Sequence, residues 1–306
     1  MSTPAFQYVQ ELRDNLTQLL TEYVELEEGG GGGTTPPPSG QNASGIPLPT
    51  GDMTGWKLVW SDDFDKDMAL GSFPGPYADK LLAYPNNYYD TSGNGQYNPQ
   101  TVLSAKDSIL RKHIHTKNGQ PQVAAPVPKI PNGTPIKWPG QKFGRYEVCV
   151  RFPDRLPGYK VAWLLWPDYG TNTQHKKNGT GDMVSQGIGE IDFPEVDLDQ
   201  SDHVGGFMHK LNATVGNDQW SLGNKTCDMT QWHRYAIEWS NNLCIFLLDG
   251  KELGRTTDRV PNDHADGCSG SMHWVLQTET TLDGVVPDAS VEGDIEIDWI
   301  AIWAKA

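Results

Sequence analysis

Three carboxylates crowd into the run Gly189-Glu190-Ile191-Asp192-Phe193-Pro194-Glu195-Val196-Asp197. A pair of carboxyls flanking a glycosidic bond is a general means of cleaving it: one protonates the leaving oxygen, and the other attacks the sugar or activates water. The run has the composition of a β-strand, where alternate side chains share a face. Glu190 and Asp192 then point the same way, while Glu195, five residues after Glu190, points the other way unless the parity changes between them. A single β-bulge makes that change. Pro194 marks its place, because proline has no N–H for the ladder and is tolerated only at edges, strand starts and bulges. With the bulge, Glu190 and Glu195 are equivalent to four strand steps apart, a Cα separation of about 13 Å. Glutamates leaning together across that gap bring their carboxyls into the ~5 to 5.5 Å range that a retaining mechanism uses.

Like charges on one face repel one another and resist burial, so a purely structural role needs cations close by. The sequence has no Lys or Arg between Lys177 and Lys210. A calcium-binding acidic strand and a solvated charged edge are the two non-catalytic assignments for the same pattern.

The elements that must hold these groups are short and mostly β. From Gly55 the chain alternates apolar strand-like runs with Gly, Pro, Asn and Asp, and few segments have helical periodicity. Runs near 56–60, 109–115, 144–152, 161–166, 189–196, 205–211, 233–240, 243–249, 272–278 and 294–303 are expected strands. Asp249-Gly250 between two of the runs is a hairpin signal. The expectation is an all-β domain over 52–306, a sandwich of two antiparallel sheets with a concave face for a ligand. Its composition, with 11 Trp, 11 Tyr, 33 Gly and 22 Pro in 306 residues, suits a loop-rich β protein. Trp60, Trp239, Trp299 and Trp303 sit in apolar alternation and are expected in the core.

Ahead of this domain, Val9, Leu12, Leu16, Leu19, Tyr23 and Leu26 recur at spacings of three and four, which predicts a helix over 6–28 with a short coiled-coil seam. Residues 29–51, which include five consecutive glycines and Pro36-Pro37-Pro38, have the composition of a tether. The helix is thus expected to form homo-oligomers or to dock onto a larger assembly. A net charge of -15 opposes binding to nucleic acid or an anionic membrane. No apolar run is long enough to span a bilayer, and the first residues lack a secretory leader pattern. Of four cysteines, Cys149 and Cys244 lie in apolar strands and are expected as buried thiols. Cys227 and Cys268 lie in polar stretches and could pair.

The run from about Gly55 to Ala306 resembles glycoside hydrolase family 16. The matching stretches, in order, are Leu58-Val59-Trp60-Ser61-Asp62-Asp63-Phe64, Phe143-Gly144-Arg145-Tyr146-Glu147-Val148, the bulged signature Glu190-Ile191-Asp192-Phe193-Pro194-Glu195, and Trp232-His233-Arg234-Tyr235-Ala236-Ile237-Glu238-Trp239 followed by Leu247-Leu248-Asp249-Gly250. Leu164-Leu165-Trp166-Pro167 and His273-Trp274-Val275-Leu276-Gln277-Thr278-Glu279 are similar to a subgroup common in actinobacteria. The resemblance implies a β-jelly roll and a retaining endo-glycosidase acting on β-glucan or a host cell-envelope glycan. Glu190 would be the nucleophile, Asp192 the carboxylate beside it and Glu195 the acid/base. It implies His209 and Gln277 as cleft residues, with a core histidine as the alternative for His209. Trp166, at a strand end, is a candidate sugar platform with a core position as its alternative, and Trp220 is a candidate platform on a loop. Family members often place two adjacent aromatics on the strand before the signature, whereas here two leucines separate Trp163 from Trp166.

The resemblance implies no cofactor for catalysis. It points to Asp298 as a candidate ligand of a structural calcium. The helix and tether resemble those of minor tail proteins of actinobacteriophages, which implies display on a virion tail at the host surface; extracellular release without a leader is the alternative. The competing function is a non-catalytic carbohydrate-binding or structural virion protein on the same sandwich.

Overall fold

The computed structural model describes residues 42–131, 138–168, 189–209, 219–261 and 271–306. The helix expected over 6–28 and the tether up to residue 41 lie outside the described residues.

The longer strands, in chain order, begin with β1 (Trp56–Asp62), β2 (Ile109–Lys117), β3 (Gly144–Arg151) and β4 (Tyr159–Pro167). They continue with β5 (Glu190–Asp197), β6 (His203–His209), β7 (Gln219–Ser221) and β8 (His233–Ser240). The last four are β9 (Leu243–Leu248), β10 (Lys251–Thr256), β11 (Met272–Thr280) and β12 (Gly293–Lys305). Two sheets result. The front sheet runs β7-β6-β5-β4-β11, and the back sheet runs β10-β9-β8-β3-β12 and continues from β12 to β2, with β1 also paired on β12. This is the antiparallel sandwich the turn-punctuated sequence predicts. The β9 to β10 turn is Asp249-Gly250, with φ of 51° and 76°, the double positive φ of a type I′ hairpin.

Alternation divides each strand between the faces. Trp163 and Leu165 of β4, Ile191 and Phe193 of β5, and Trp274 and Leu276 of β11 point into the core, where they meet Tyr146 and Val148 of β3, Tyr235 and Ile237 of β8, and Ile300 and Ile302 of β12. Burying side chains of this size contributes roughly 1.5 to 3 kcal/mol each. The core is therefore the scaffold against which the front sheet's other face is held.

Alternate residues of β12 face outward. Trp299, Ala301 and Trp303, with Trp56 and Cys149, form a second buried cluster on the outer side of the back sheet, against which Ile46 and Leu48 pack. The indole N–H groups of Trp299 and Trp303 donate to the carbonyls of Ile46 and Gly51 at 2.9 and 3.0 Å. Residues 42–51, expected as the end of a tether, are thus a strap on the sandwich. Without it two tryptophans would be left exposed on that face. Trp60 and Trp239 are core residues as expected.

One core residue is out of keeping. Lys112 of β2 is fully buried, with Nζ donating to the Leu276 carbonyl at 2.7 Å. Burial holds its pKa well below the usual lysine value. Between that lowered value and 10.5, the unfolded chain binds a proton that the folded chain lacks, so stability rises with pH through this window. Lys112→Met is expected to stabilise the domain at pH 7 on the order of 1 to 4 kcal/mol and to remove the upward slope. Urea unfolding at pH 7 and pH 9.5 measures both; a variant less stable than wild type at pH 7 contradicts this account.

Candidate active site

The bulge lies where Pro194 places it. Across β4, Glu195 pairs with Ala162 and Asp192 with Leu164, so three residue steps along β5 span two along β4. On the other side Asp192 pairs with Phe207 and Glu195 with Gly205, again with a register shift between them. Parity is restored, and Glu190, Asp192 and Glu195 line one cavity of about 350 Å³ with Ala162, Phe207, His209, Gln277 and Glu279 among its walls.

Their environments differ. Asp192 is 2% exposed, while Glu190 and Glu195 are half-buried. Burial raises the pKa of Glu190 to about 7, against a hydrogen bond from Asp192 and the positive charge of Lys160, and with the help of Glu195 and Glu279. Asp192 rises well above the ordinary carboxyl range, first by burial and then by the charges of Glu190 and Glu195. A charged Asp192 between the two glutamates would be expected to load a proton onto one of them. The more deeply buried group takes the proton instead, and protonated Asp192 donates to Glu190. Among the described residues Asp192 Oδ2 has no hydrogen-bond partner; the imidazole Nε2 of His209 lies 3.5 Å away, long for a hydrogen bond.

The other expected cleft residues divide. His209 pairs with Glu190 across the β5–β6 ladder, and Gln277 pairs with Ala162 across β4–β11, both on the cavity face. Trp166 shares the face of Ala162 and Leu164 by alternation but lies beyond the walls of the carboxylate cavity, packed partly on the core. Trp220 is not a platform. It pairs with buried Met208 and stacks on Phe246 with centroids 5.8 Å apart and planes 9° from parallel, on the core side of β7. Gln219, its neighbour, takes the cavity side.

Two residues of the cavity wall and one beyond it are not legible in the acidic strand. Lys160 of β4 donates from Nζ to Glu195 Oε1 at 2.6 Å, supplying the cation that was sought only along the acidic strand itself. Burial opposes its charge, yet the carboxylates of Glu195, then Glu279 and Asp197, together hold its pKa above the usual value. Glu279 is a fourth carboxyl, 2% exposed, and is also raised by burial. A period-two count would have found both: Lys160 lies two before Ala162, and Glu279 two after Gln277. Trp138, the third, has no such signal. It stacks on His273, with centroids 5.4 Å apart, and touches Tyr84 at 4.9 Å. Tyr84 is near enough to Glu190 for that charge to add to burial in raising the phenol's pKa.

The residues present do not fit a calcium ion at Asp298. Its Oδ1 accepts from the Ala43 N–H at 2.9 Å, and its Oδ2 from the Ser44 N–H at 3.2 Å and the Ser44 hydroxyl. Those donors occupy most of the lone pairs a cation would need, and calcium takes six or more oxygens. Among the described residues no group of three His, Cys, Asp or Glu could hold a metal ion.

Cys227 is a free thiol, buried rather than in an open loop, 3.3 Å from the Tyr235 hydroxyl. Cys268 lies outside the described residues. Cys149 and Cys244 are buried thiols as expected.

No protein-family model matches the chain. In sequence it is similar to a β-glucanase of Rhodothermus marinus, 24% identical over 234 residues that make up 72% of this chain and 71% of that protein. In fold it is similar to a non-specific endo-β-1,3(4)-glucanase of glycoside hydrolase family 16, with a TM-score of 0.59, 18% identity, and coverage of 88% of this chain and 98% of that one. A variant of that enzyme has been solved with 1,3-β-D-cellobiosyl-glucose at its active site. The endo-β-1,3-glucanase of Pyrococcus furiosus gives a TM-score of 0.60 at 14% identity, covering 85% of this chain and 99% of that one.

Proposed function

We propose that residues 42–306 form a retaining endo-β-glucanase. The observation that carries this reading is the bulge at Pro194, which returns Glu195 to the face of Glu190 and Asp192 and sets all three around one cavity. A binding module has no use for that arrangement, because three acids together cost desolvation and repulsion that only chemistry offsets. Glu190 attacks the anomeric carbon while Glu195 protonates the leaving oxygen; Glu195 then takes a proton from water, which attacks the same carbon and releases Glu190. Asp192 holds its proton toward Glu190 and so favours the ionised nucleophile. His209 and Gln277 supply polar contacts to the sugar. The likeness to β-glucanases supports a β-1,3- or mixed-linked glucan as substrate. Purified protein assayed on β-glucans, galactans and bacterial cell walls, with proton NMR of the first-formed anomer, tests the reading. An inverted product, or no release from any glycan, overturns it.

The reading extends to the amino-terminal arm, on sequence grounds: residues 6–28 self-associate or dock on a larger particle such as a virion tail, and the tether holds the enzyme out from it. Sedimentation of the full chain against one beginning at Gly40 tests the self-associating form. A full chain that stays monomeric and binds no particle removes this extension while leaving the enzyme reading intact.

A further inference from the structure

The acid/base of the proposed mechanism has little to hold it. In its row of the front sheet Glu195 is flanked by Ala162 on β4 and Gly205 on β6, a methyl group and a hydrogen. Neither can grip a carboxylate. Glu195 also follows directly on the bulge, where the ladder is interrupted. Among the described residues its side chain makes one hydrogen bond, from Lys160 Nζ to Oε1 at 2.6 Å, with the two side chains 10% and 16% exposed.

Lys160 stands one row further along β4, opposite Asp197 on β5 and Glu279 on β11. It is the one Lys or Arg among the described residues lining either the carboxylate cavity or the adjoining cavity of about 440 Å³, whose walls it shares with Glu195, His203, Phe207 and Asn224. By register Lys160 stands on the side of Glu195 away from Glu190, and its ammonium holds Oε1 of that carboxyl. A cation that served only to offset charge would be best placed among Glu190, Asp192 and Glu195. This one sits to one side and engages a single oxygen.

Resting on the retaining-glycosidase reading, we propose that Lys160 is a positioning residue for proton transfer: by binding Oε1 of Glu195 it fixes the carboxyl's direction and leaves Oε2 as the oxygen that exchanges the proton. In the first step the Oε2–H bond breaks as the leaving oxygen takes the proton, the anomeric C–O bond breaks, and Glu190 bonds the anomeric carbon. In the second, water gives a proton to Oε2 as it attacks that carbon and the Glu190 ester bond breaks. Lys160 keeps its proton throughout and touches no reacting atom.

A defect in proton delivery shows itself when the leaving group is poor and is hidden when it is good. Lys160→Met, Lys160→Gln and Lys160→Arg are compared with wild type on a β-1,3-glucan and on a 2,4-dinitrophenyl β-oligoglucoside, which leaves without protonation. Both neutral variants are expected to lose about tenfold or more in kcat on the glucan with KM little changed, and far less in the first step on the aryl glycoside. Arg keeps a cation at Oε1 and is expected to recover most of the loss. Equal losses on both substrates, an Arg variant no better than Met, or a neutral variant with full glucan activity each overturn the proposal. So does failure of both neutral variants to fold, by circular dichroism, since the lysine is then a structural strut. A wild-type chain inactive on both substrates overturns the glycosidase reading itself and takes this role with it.

Discussion

Glu190→Gln is expected to lower turnover of a β-glucan by roughly 10⁴-fold or more while leaving the fold intact, because an amide cannot form the glycosyl ester. The same residue sets the acid side of the pH profile. Its pKa stands at about 7, and it must be ionised to attack, so kcat/KM falls about tenfold per pH unit below that point. The stability change runs the other way. An ordinary glutamate pKa is 4.5, so between 4.5 and about 7 the folded chain binds the extra proton and stability declines as pH rises. Glutamine escapes that loss, and the variant should melt at or above the wild-type temperature at pH 8. Asp192 refines the test. Asparagine retains a hydrogen-bond donor to Glu190 and alanine does not, so Asp192→Ala should move the acid limb upward more than Asp192→Asn. Initial rates from pH 4 to 9, with melting curves at pH 5 and 8, read all of this; an active Glu190→Gln removes the residue from its role.

Glu195→Gln is expected to have the second-largest effect, of a different kind. Hydrolysis of glucan, whose leaving sugar needs a proton, should fall by about 10² to 10⁴-fold. An aryl glycoside with a good leaving group should still form the glycosyl ester on Glu190 and then stall, because no base remains to activate water. A burst of phenolate followed by slow turnover is the signature in stopped-flow absorbance. If both substrates slow equally with no burst, Glu195 is not the group that transfers the proton.

Most of the architecture was legible because period two and turn chemistry are local signals. The bulge is the clearest instance: an odd spacing of acids and one proline located a register shift that both neighbouring strands display. What escaped is contact between strands distant in sequence. Lys160 and Glu195 are 35 residues apart, and the acidic strand says nothing of which cation crosses to it. Trp220 misled because a tryptophan after a polar loop could face either way, and only its pairing with Met208 turns it inward. The strap over β12 was hidden by composition, since its Gly, Ser and Pro resemble tether, while Ile46 and Leu48, which anchor it, are only two apolar residues.

That strap determines where a mechanical load would enter the domain. A pull on the chain ahead of Asn42 reaches the hydrogen bonds at Asp298, Trp299 and Trp303 first. All three belong to β12, which is laced between β1 or β2 on one side and β3 on the other, so the force spreads into the back sheet. Glu190, Asp192 and Glu195 sit on the opposite sheet, whose strands share no ladder with β12. An enzyme held by its amino-terminal end and dragged across a polysaccharide could bear the tension without opening its cleft.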